Sequence, residues 1–347
     1  RQEGVVFPMR DALMYIQSQP LGGRGKSFQG ERYYTADNPP FGATVTWFLK
    51  DPIRTRKERR QEAERDADRR GAPVGWPTRD QLRAEEEEDA PAIVVVITDS
   101  TDRVVRRLAG PIGAGVQRVT WDLRYPAANL SAPPPPDADF DFEPPSGPLV
   151  MPGTYKATVS KRVDGVLTQL GQPQQFQVVV EGQENMSLAD RTALVEFQQK
   201  AVRLQRAVSG ASQTANSLRP RLTAIKRAIS ETPALPHSLY DNAMALEKRT
   251  NEIIRALSGD VEARRRNMNQ PPSINDRVGY VVGVQRMSTA RPTQTQANQY
   301  AAAAQDFETV LGQLRQLIEV DLSRLEKQLE AAGAPWTPGR IPEWRDQ

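Results

Sequence analysis

The chain has 347 residues, enough for two or three domains, and its 46 Lys and Arg nearly balance 43 Asp and Glu, so the strong basic excess of a nucleic-acid binder is missing. The absence of cysteine removes disulfides, thiolate nucleophiles, Cys-ligated zinc and iron–sulfur clusters together. The single histidine, His237, excludes multi-histidine metal sites and leaves one residue on which a Ser-His-Asp triad could be built.

The first residue is Arg1, which predicts a processed product or a piece of a longer polypeptide. Residues 1–32 mix short apolar pieces with a glycine-rich stretch and read as an N-terminal connecting arm. Gly22, Gly23 and Gly25 with Lys26 and Ser27 lack the spacing of a phosphate loop. From residue 33 the pattern turns to strands. Ala43 to Leu49 is rich in Val, Thr, Trp and Phe, and residues 92–98 form an apolar run of strand length. Val119, Trp121 and Leu123 alternate with polar neighbours, as do Tyr155, Ala157 and Val159, while Phe176, Val178 and Val180 close the series. Asp164-Gly165 is a hairpin turn signal. About seven short strands without a βαβ pattern predict an antiparallel two-sheet sandwich over 33–183.

Two segments interrupt it. In residues 50–89, 11 basic and 12 acidic side chains nearly cancel. Lys57 to Arg70 is a strong helix former, Gly71-Ala72-Pro73 breaks it, and Thr78 to Gln81 has the form of a capping box opening a second helix. A charged helical hairpin is therefore expected to be inserted at 51–90. The second segment is a proline-rich loop, 126–152, in which Asp137, Asp139, Asp141 and Glu143 alternate with Ala138, Phe140 and Phe142. Those four carboxylates are a candidate Ca²⁺ set, although their spacing differs from an EF-hand loop and the glycine of its sharp turn is missing.

After residue 185 the period becomes helical. Leu194, Phe197, Ala201, Leu204, Val208, Ala211, Ala215 and Leu218 form a heptad seam, which Arg219-Pro220 is expected to end or kink. Leu222, Ile225 and Ile229 continue on a short helix. Ser238 is the expected cap of the next, with the seam Leu239, Ala243, Leu246, Thr250, Ile253 and Leu257 and Gly259 as its stop. A shorter helix spans Ile274 to Met287. Thr293 to Gln296 opens the last long one, striped by Phe307, Leu311, Leu314, Ile318, Leu322, Leu325 and Leu329. Burying each Leu or Ile contributes roughly 1.5–3 kcal/mol, which predicts an antiparallel helical bundle over 187–333. The tail, 334–347, carries Trp336 and Trp344 and is expected to pack back on the protein or on a neighbouring domain. The fold class expected is thus α+β and multidomain, a sandwich with an inserted hairpin followed by a bundle.

Nothing in the pattern forms an active site. His237 lies beside a helix start, no glycine-rich nucleotide fingerprint follows a strand, and the acidic residues fall in the hairpin, the proline loop and on helix exteriors. No catalytic residue and no cofactor is expected. The residues expected to face a protein partner are Arg56, Arg60 and Glu64 of the hairpin, Trp76 at its break, and Trp336 and Trp344 of the tail.

Several motifs together resemble a family. Tyr33 to Gly42 (YYTADNPPFG), Val119 to Tyr125 (VTWDLRY), Pro152 to Tyr155 (PGTY), Ser160 to Gly165 (SKRVDG), Pro292 to Gln296 (PTQTQ) and Trp336 to Arg340 (WTPGR) look like the C-terminal region of bacterial secreted sortilin-like or BNR-repeat β-propeller proteins, often labelled glycosyl hydrolases. The Trp-Asp and Pro-Gly-Thr-Tyr pieces also resemble the Ig-like module of flagellar hook-capping proteins. The resemblance implies an Ig-like sandwich and bundle behind propellers absent here, and export to the periplasm, cell surface or outside. The propellers would hold any family ligand site, so no catalytic residue carries over. The implied function is non-catalytic: docking the propellers or fixing a larger assembly. The alternatives are an accessory part of a glycoside hydrolase, with Asp139 or Asp141 near a sugar cleft, and a carbohydrate-binding sandwich using Trp76. No nucleic acid and no membrane span is expected.

Overall fold

The computed structural model describes residues 3–15, 30–34, 36, 38–129, 146–182, 186–286, 288 and 290–344. The chain divides into two compact units, Arg1–Pro126 with Pro148–Ser187 and Ala127–Gly147 with Leu188–Gln347.

The first unit is built on two sheets. One is antiparallel, with β1 (Gly4–Val6), β3 (Ala43–Leu49) and β6 (Gly115–Trp121) in the order β1-β3-β6. The other runs β2-β9-β7-β4-β5, with β2 (Ala12–Met14), β4 (Ala92–Asp99), β5 (Val104–Gly110), β7 (Gly153–Val163) and β9 (Gln174–Val180), and β8 (Val166–Gln169) pairs with the far half of β7. Alternation decides what each strand buries. Val45, Trp47 and Leu49 of β3, Ile93, Val95 and Ile97 of β4 and Ala157 and Val159 of β7 meet in one core shared by both sheets. Trp121 lies at its centre, fully buried, edge-on to Tyr155 at 5.3 Å and Phe176 at 6.3 Å. Its Nε1 donates to the Arg124 carbonyl at 2.9 Å. Two glycines make this packing possible. A Cβ at Gly42, whose φ is +122°, would lie 1.9 Å from the Trp121 carbonyl oxygen, and one at Gly110 would lie 2.5 Å from the Trp47 ring.

Two expectations need correction here. Residues 1–32 are not merely a connecting arm, because Gly4–Val6 joins one sheet and Ala12–Met14 the other. These strands are three residues long, too short to announce themselves by alternation, yet Val6, Ala12 and Met14 are buried in the shared core. The second sheet is also mixed, not antiparallel throughout: β2 runs parallel to β9, with Ala12 opposite Val178 and Met14 opposite Val180. The Asp164-Gly165 turn is as the dipeptide suggested. Both residues have positive φ, +51° and +75°, and close Val163 directly onto Val166.

The second unit is helical: α3 (Leu188–Glu231), α4 (Ser238–Ser258), α5 (Val261–Arg265), α6 (Ile274–Arg286), α7 (Gln294–Arg315) and α8 (Ser323–Ala331), with a π-helical stretch, Gln316–Leu322, joining the last two. Their stripes meet in a single core that includes Val208, Leu218, Ile225, Leu246, Leu257, Phe307, Leu317 and Leu322. Pro220 neither ends the first helix nor starts a new one; α3 runs through it for 44 residues. A helix-interior proline costs about 3 kcal/mol. Leu218, Leu222, Ile225 and Ile229 lie on one buried stripe across it, and at roughly 1.5–3 kcal/mol each their burial outweighs that cost. Ser238 is not the cap of α4: the residue before the helix is His237, which makes no capping bond with its side chain. Thr293 does cap α7, and its reciprocal bonds with Gln296 form a capping box.

Candidate interaction surface

Between β3 and β4 the chain leaves the sheets as α1 (Arg56–Arg69) and α2 (Arg79–Glu86). Each opens on a capping box, Thr55 with Glu58 and Thr78 with Gln81, so the first turns are satisfied locally. Neither helix has a buried residue. Charge joins them instead. Arg60 forks onto both oxygens of Glu85 at 2.6 and 2.9 Å and reaches Glu64 at 2.7 Å. Donating to Glu85 and Glu64 raises the Arg60 pKa, and the hydrogen bond accepted from Arg60 holds the Glu85 carboxyl below its ordinary range.

The base of the hairpin is tied in the same way. The Arg56 amide donates to Glu88 at 2.7 Å and its guanidinium meets Asp164 at 3.0 Å, a pairing that raises the arginine's pKa. Arg162 meets Asp89 at 3.3 Å, and Arg54 pairs with Glu62. The β3–β4 excursion and the β7–β8 turn therefore lie at the same end of the sheets. At the opposite end of the hairpin, the loop 71–77 presents Val74 and Trp76 to solvent, and Trp76 is 97 % exposed.

Arg56, Arg60, Glu64 and Trp76 thus belong to one element with distinct places in it. Arg60 and Glu64 lie on its inner side, Arg56 at its base, and only Trp76 projects freely. Glu85, Glu88, Asp89, Arg162 and Asp164 complete the network. Sequence reasoning missed them because their partners lie up to 108 residues away, as in Arg56–Asp164 (164 − 56).

Trp336 and Trp344, in the other unit, are 60 % and 82 % exposed, so the tail does not pack back through its tryptophans. It does so through Ala334, Thr337 and Arg340, all buried. Arg340 donates to the carbonyls of Ala334 and Pro335 at 2.8 and 2.9 Å and pairs with Glu330 at 2.9 Å. Arg221 forks onto Glu326 at 2.7 Å and reaches the Gly339 carbonyl at 3.3 Å. Trp336 turns its Nε1 back to the Arg340 carbonyl at 2.7 Å.

His237 is exposed, stacked on Tyr240 at 5.8 Å and 4.0 Å from Asp241. Asp137, Asp139, Asp141 and Glu143 lie outside the described residues. Among the described residues no group of three or more His, Asp or Glu side chains could hold a metal ion, and no helix is long and apolar enough to cross a membrane. No protein-family model matches the chain, and comparison with curated proteins gives no match.

Proposed function

We propose that this chain is a non-catalytic interaction region in which the α1–α2 hairpin is the partner-contacting element of an Ig-like sandwich. The observation that carries the reading is a 40-residue insertion, 51–90, with no buried apolar residue and with Trp76 at its tip almost fully in water. Isolated helices shorter than about 12–15 residues are marginal, and these have 14 and 8. An element so weakly supported by its own fold, with an indole at its end, has the makings of a binding anchor.

The strand pairing supports the Ig-like assignment. β1-β3-β6 corresponds to strands A, B and E, and β2-β9-β7-β4-β5 to A′, G, F, C and C′. The Tyr155 hydroxyl donates to the Met151 carbonyl, four residues upstream, at 2.7 Å, in the manner of a tyrosine corner at the start of strand F. In that frame the hairpin is an enlarged B–C loop beside the F–G turn, the end at which variable domains carry binding loops. Together with the motifs of the sortilin-like and BNR-repeat proteins, this supports a region that docks propellers or a larger assembly outside the cytoplasm.

The test is a photo-crosslinking amino acid at position 76, with the exposed Val166 as control, in the protein as it occurs with its partners. Crosslinks at 76 to one defined protein support the reading, and equal labelling from both positions contradicts it. The exposed Trp76 ring also suits stacking on a sugar. Saturable binding on a glycan array, lost in Trp76→Ala, would favour that second reading.

A further inference from the structure

We infer that the groove beside α4 in the helical unit is a docking site for an acidic peptide. The groove encloses about 870 Å³. Met244, Lys248, Asn251 and Arg255 line it from α4, Arg219 faces them from α3, and Val261 of α5 closes one end. The spacing of the α4 residues, four, three and four, puts them on one helix face.

The charge of the groove is lopsided once its internal partners are assigned. Its three carboxylates are all engaged: Glu247 with Lys226 at 2.7 Å, Glu262 with Arg265 at 2.9 Å, and Asp260 with the amides of Glu262 and Ala263 at 2.9 and 3.1 Å, as the cap of α5. Apart from Arg265, its cations are not. Among the described residues Lys248 and Arg255 form no ion pair, and Arg219 donates only to the neutral Asn251 at 3.1 Å. Three positive groups therefore surround the groove without a carboxylate of their own. Met244 lies about one turn before Lys248 on the same α4 face, Val261 follows in α5, and both are exposed.

That combination selects the ligand chemistry. Guanidinium forks suit carboxylates, which they can bind in pairs. Lys248 and Arg255 are seven residues apart, about 10 Å along the helix, which a peptide in the polyproline II conformation covers in three residues at about 3.1 Å each, with side chains three apart on one face. Two acidic side chains so spaced reach both cations, and an apolar residue before the first of them meets Met244. A compact inorganic anion would use the cations but leave the methionine and valine surfaces uncovered. The location of Arg255 in the last turn of α4 also favours the helix dipole; that accounts for one cation, not for three facing a common groove.

The experiment is fluorescence anisotropy with the full chain and a labelled peptide repeating Glu-Pro-Leu, beside its Gln-Pro-Leu counterpart and sodium tripolyphosphate. Saturable binding of the Glu peptide, weakened about tenfold or more in Lys248→Glu/Arg255→Glu and on raising salt from about 50 to about 300 mM, is expected. Circular dichroism checks that the variant folds, and Arg255→Ala provides a second variant with a smaller loss of affinity in the same direction. Absence of saturable binding, equal binding of the Gln peptide, unchanged affinity in folded variants, or binding of tripolyphosphate alone would each overturn the proposal.

Discussion

Trp121 and Trp76, two of the three tryptophans of the first unit, give the most discriminating test of its architecture, because the same substitution should have very different consequences. Trp121 is fully buried, edge-on to two aromatic rings, with Nε1 bonded to the Arg124 carbonyl. Trp121→Ala removes the ring at about 3–5 kcal/mol and the hydrogen bond at about 1 kcal/mol, so a loss of about 4–6 kcal/mol is expected. That is a large part of the about 5–15 kcal/mol that holds a domain folded. Trp76 touches almost nothing, and Trp76→Ala should stay within about 0.5 kcal/mol. Guanidinium unfolding of the full chain, followed by circular dichroism near 218 nm for the sheets and 222 nm for the helices, separates the two units. The Trp121 variant should lose the strand transition at low denaturant and keep the helical one. A loss above about 1 kcal/mol in Trp76→Ala, or below it in Trp121→Ala, would refute the assignment of core and tip.

Other consequences follow from single contacts. Gly110→Ala should destabilise the sandwich by about 1–3 kcal/mol, read as a lower melting temperature, because its methyl would meet the Trp47 ring. Tyr155→Phe should lose about 1 kcal/mol by the same measurement, since it deletes the bond to Met151 and leaves the packing with Trp121 in place. The Glu85 pKa is depressed when folded, so its contribution is complete above the ordinary carboxylate pKa of about 4.3 and is lost as pH falls through the folded value. Protection of α1 and α2 against hydrogen exchange, taken relative to the intrinsic rate at each pH, should therefore fall on acidification below about pH 4, and also on adding salt, before that of the sheets. Deleting Val320, half-exposed in the π-helical stretch, should be tolerated within about 1 kcal/mol by thermal melting, because it restores a regular helix with Leu317 and Leu322 still on one face.

Periodicity revealed most of the helical unit and less of the sheets. The stripe Leu239, Ala243, Leu246, Thr250, Ile253 and Leu257 is buried in α4 because a regular helix admits one inward face. The π-helical stretch puts the buried residues at 310, 314, 317 and then 322, a gap of five that one extra residue in a turn produces, whereas the stripe through Leu314, Ile318 and Leu322 assumes a regular helix. A local rule lets Pro220 end the helix, whereas α3 continues through it because four aliphatic side chains are buried on the same stripe. β1 and β2 were illegible because three residues contain no period, and their strand state depends on partners at Leu49 and Val180 far along the chain. In the hairpin, the caps could be read from Thr78 and Gln81, whereas Arg56–Asp164 and Arg162–Asp89 are long-range pairings that composition does not encode.

The central claim is that the hairpin serves a partner and not the fold. Its most direct test replaces residues 52–90 with a short Gly-Ser linker and measures, by size-exclusion chromatography with light scattering, whether the protein still travels with the partner crosslinked at position 76. The account predicts a folded protein with unchanged melting that elutes alone. Retention of the partner at the original affinity, or collapse of the sandwich on removal of the hairpin, would contradict it.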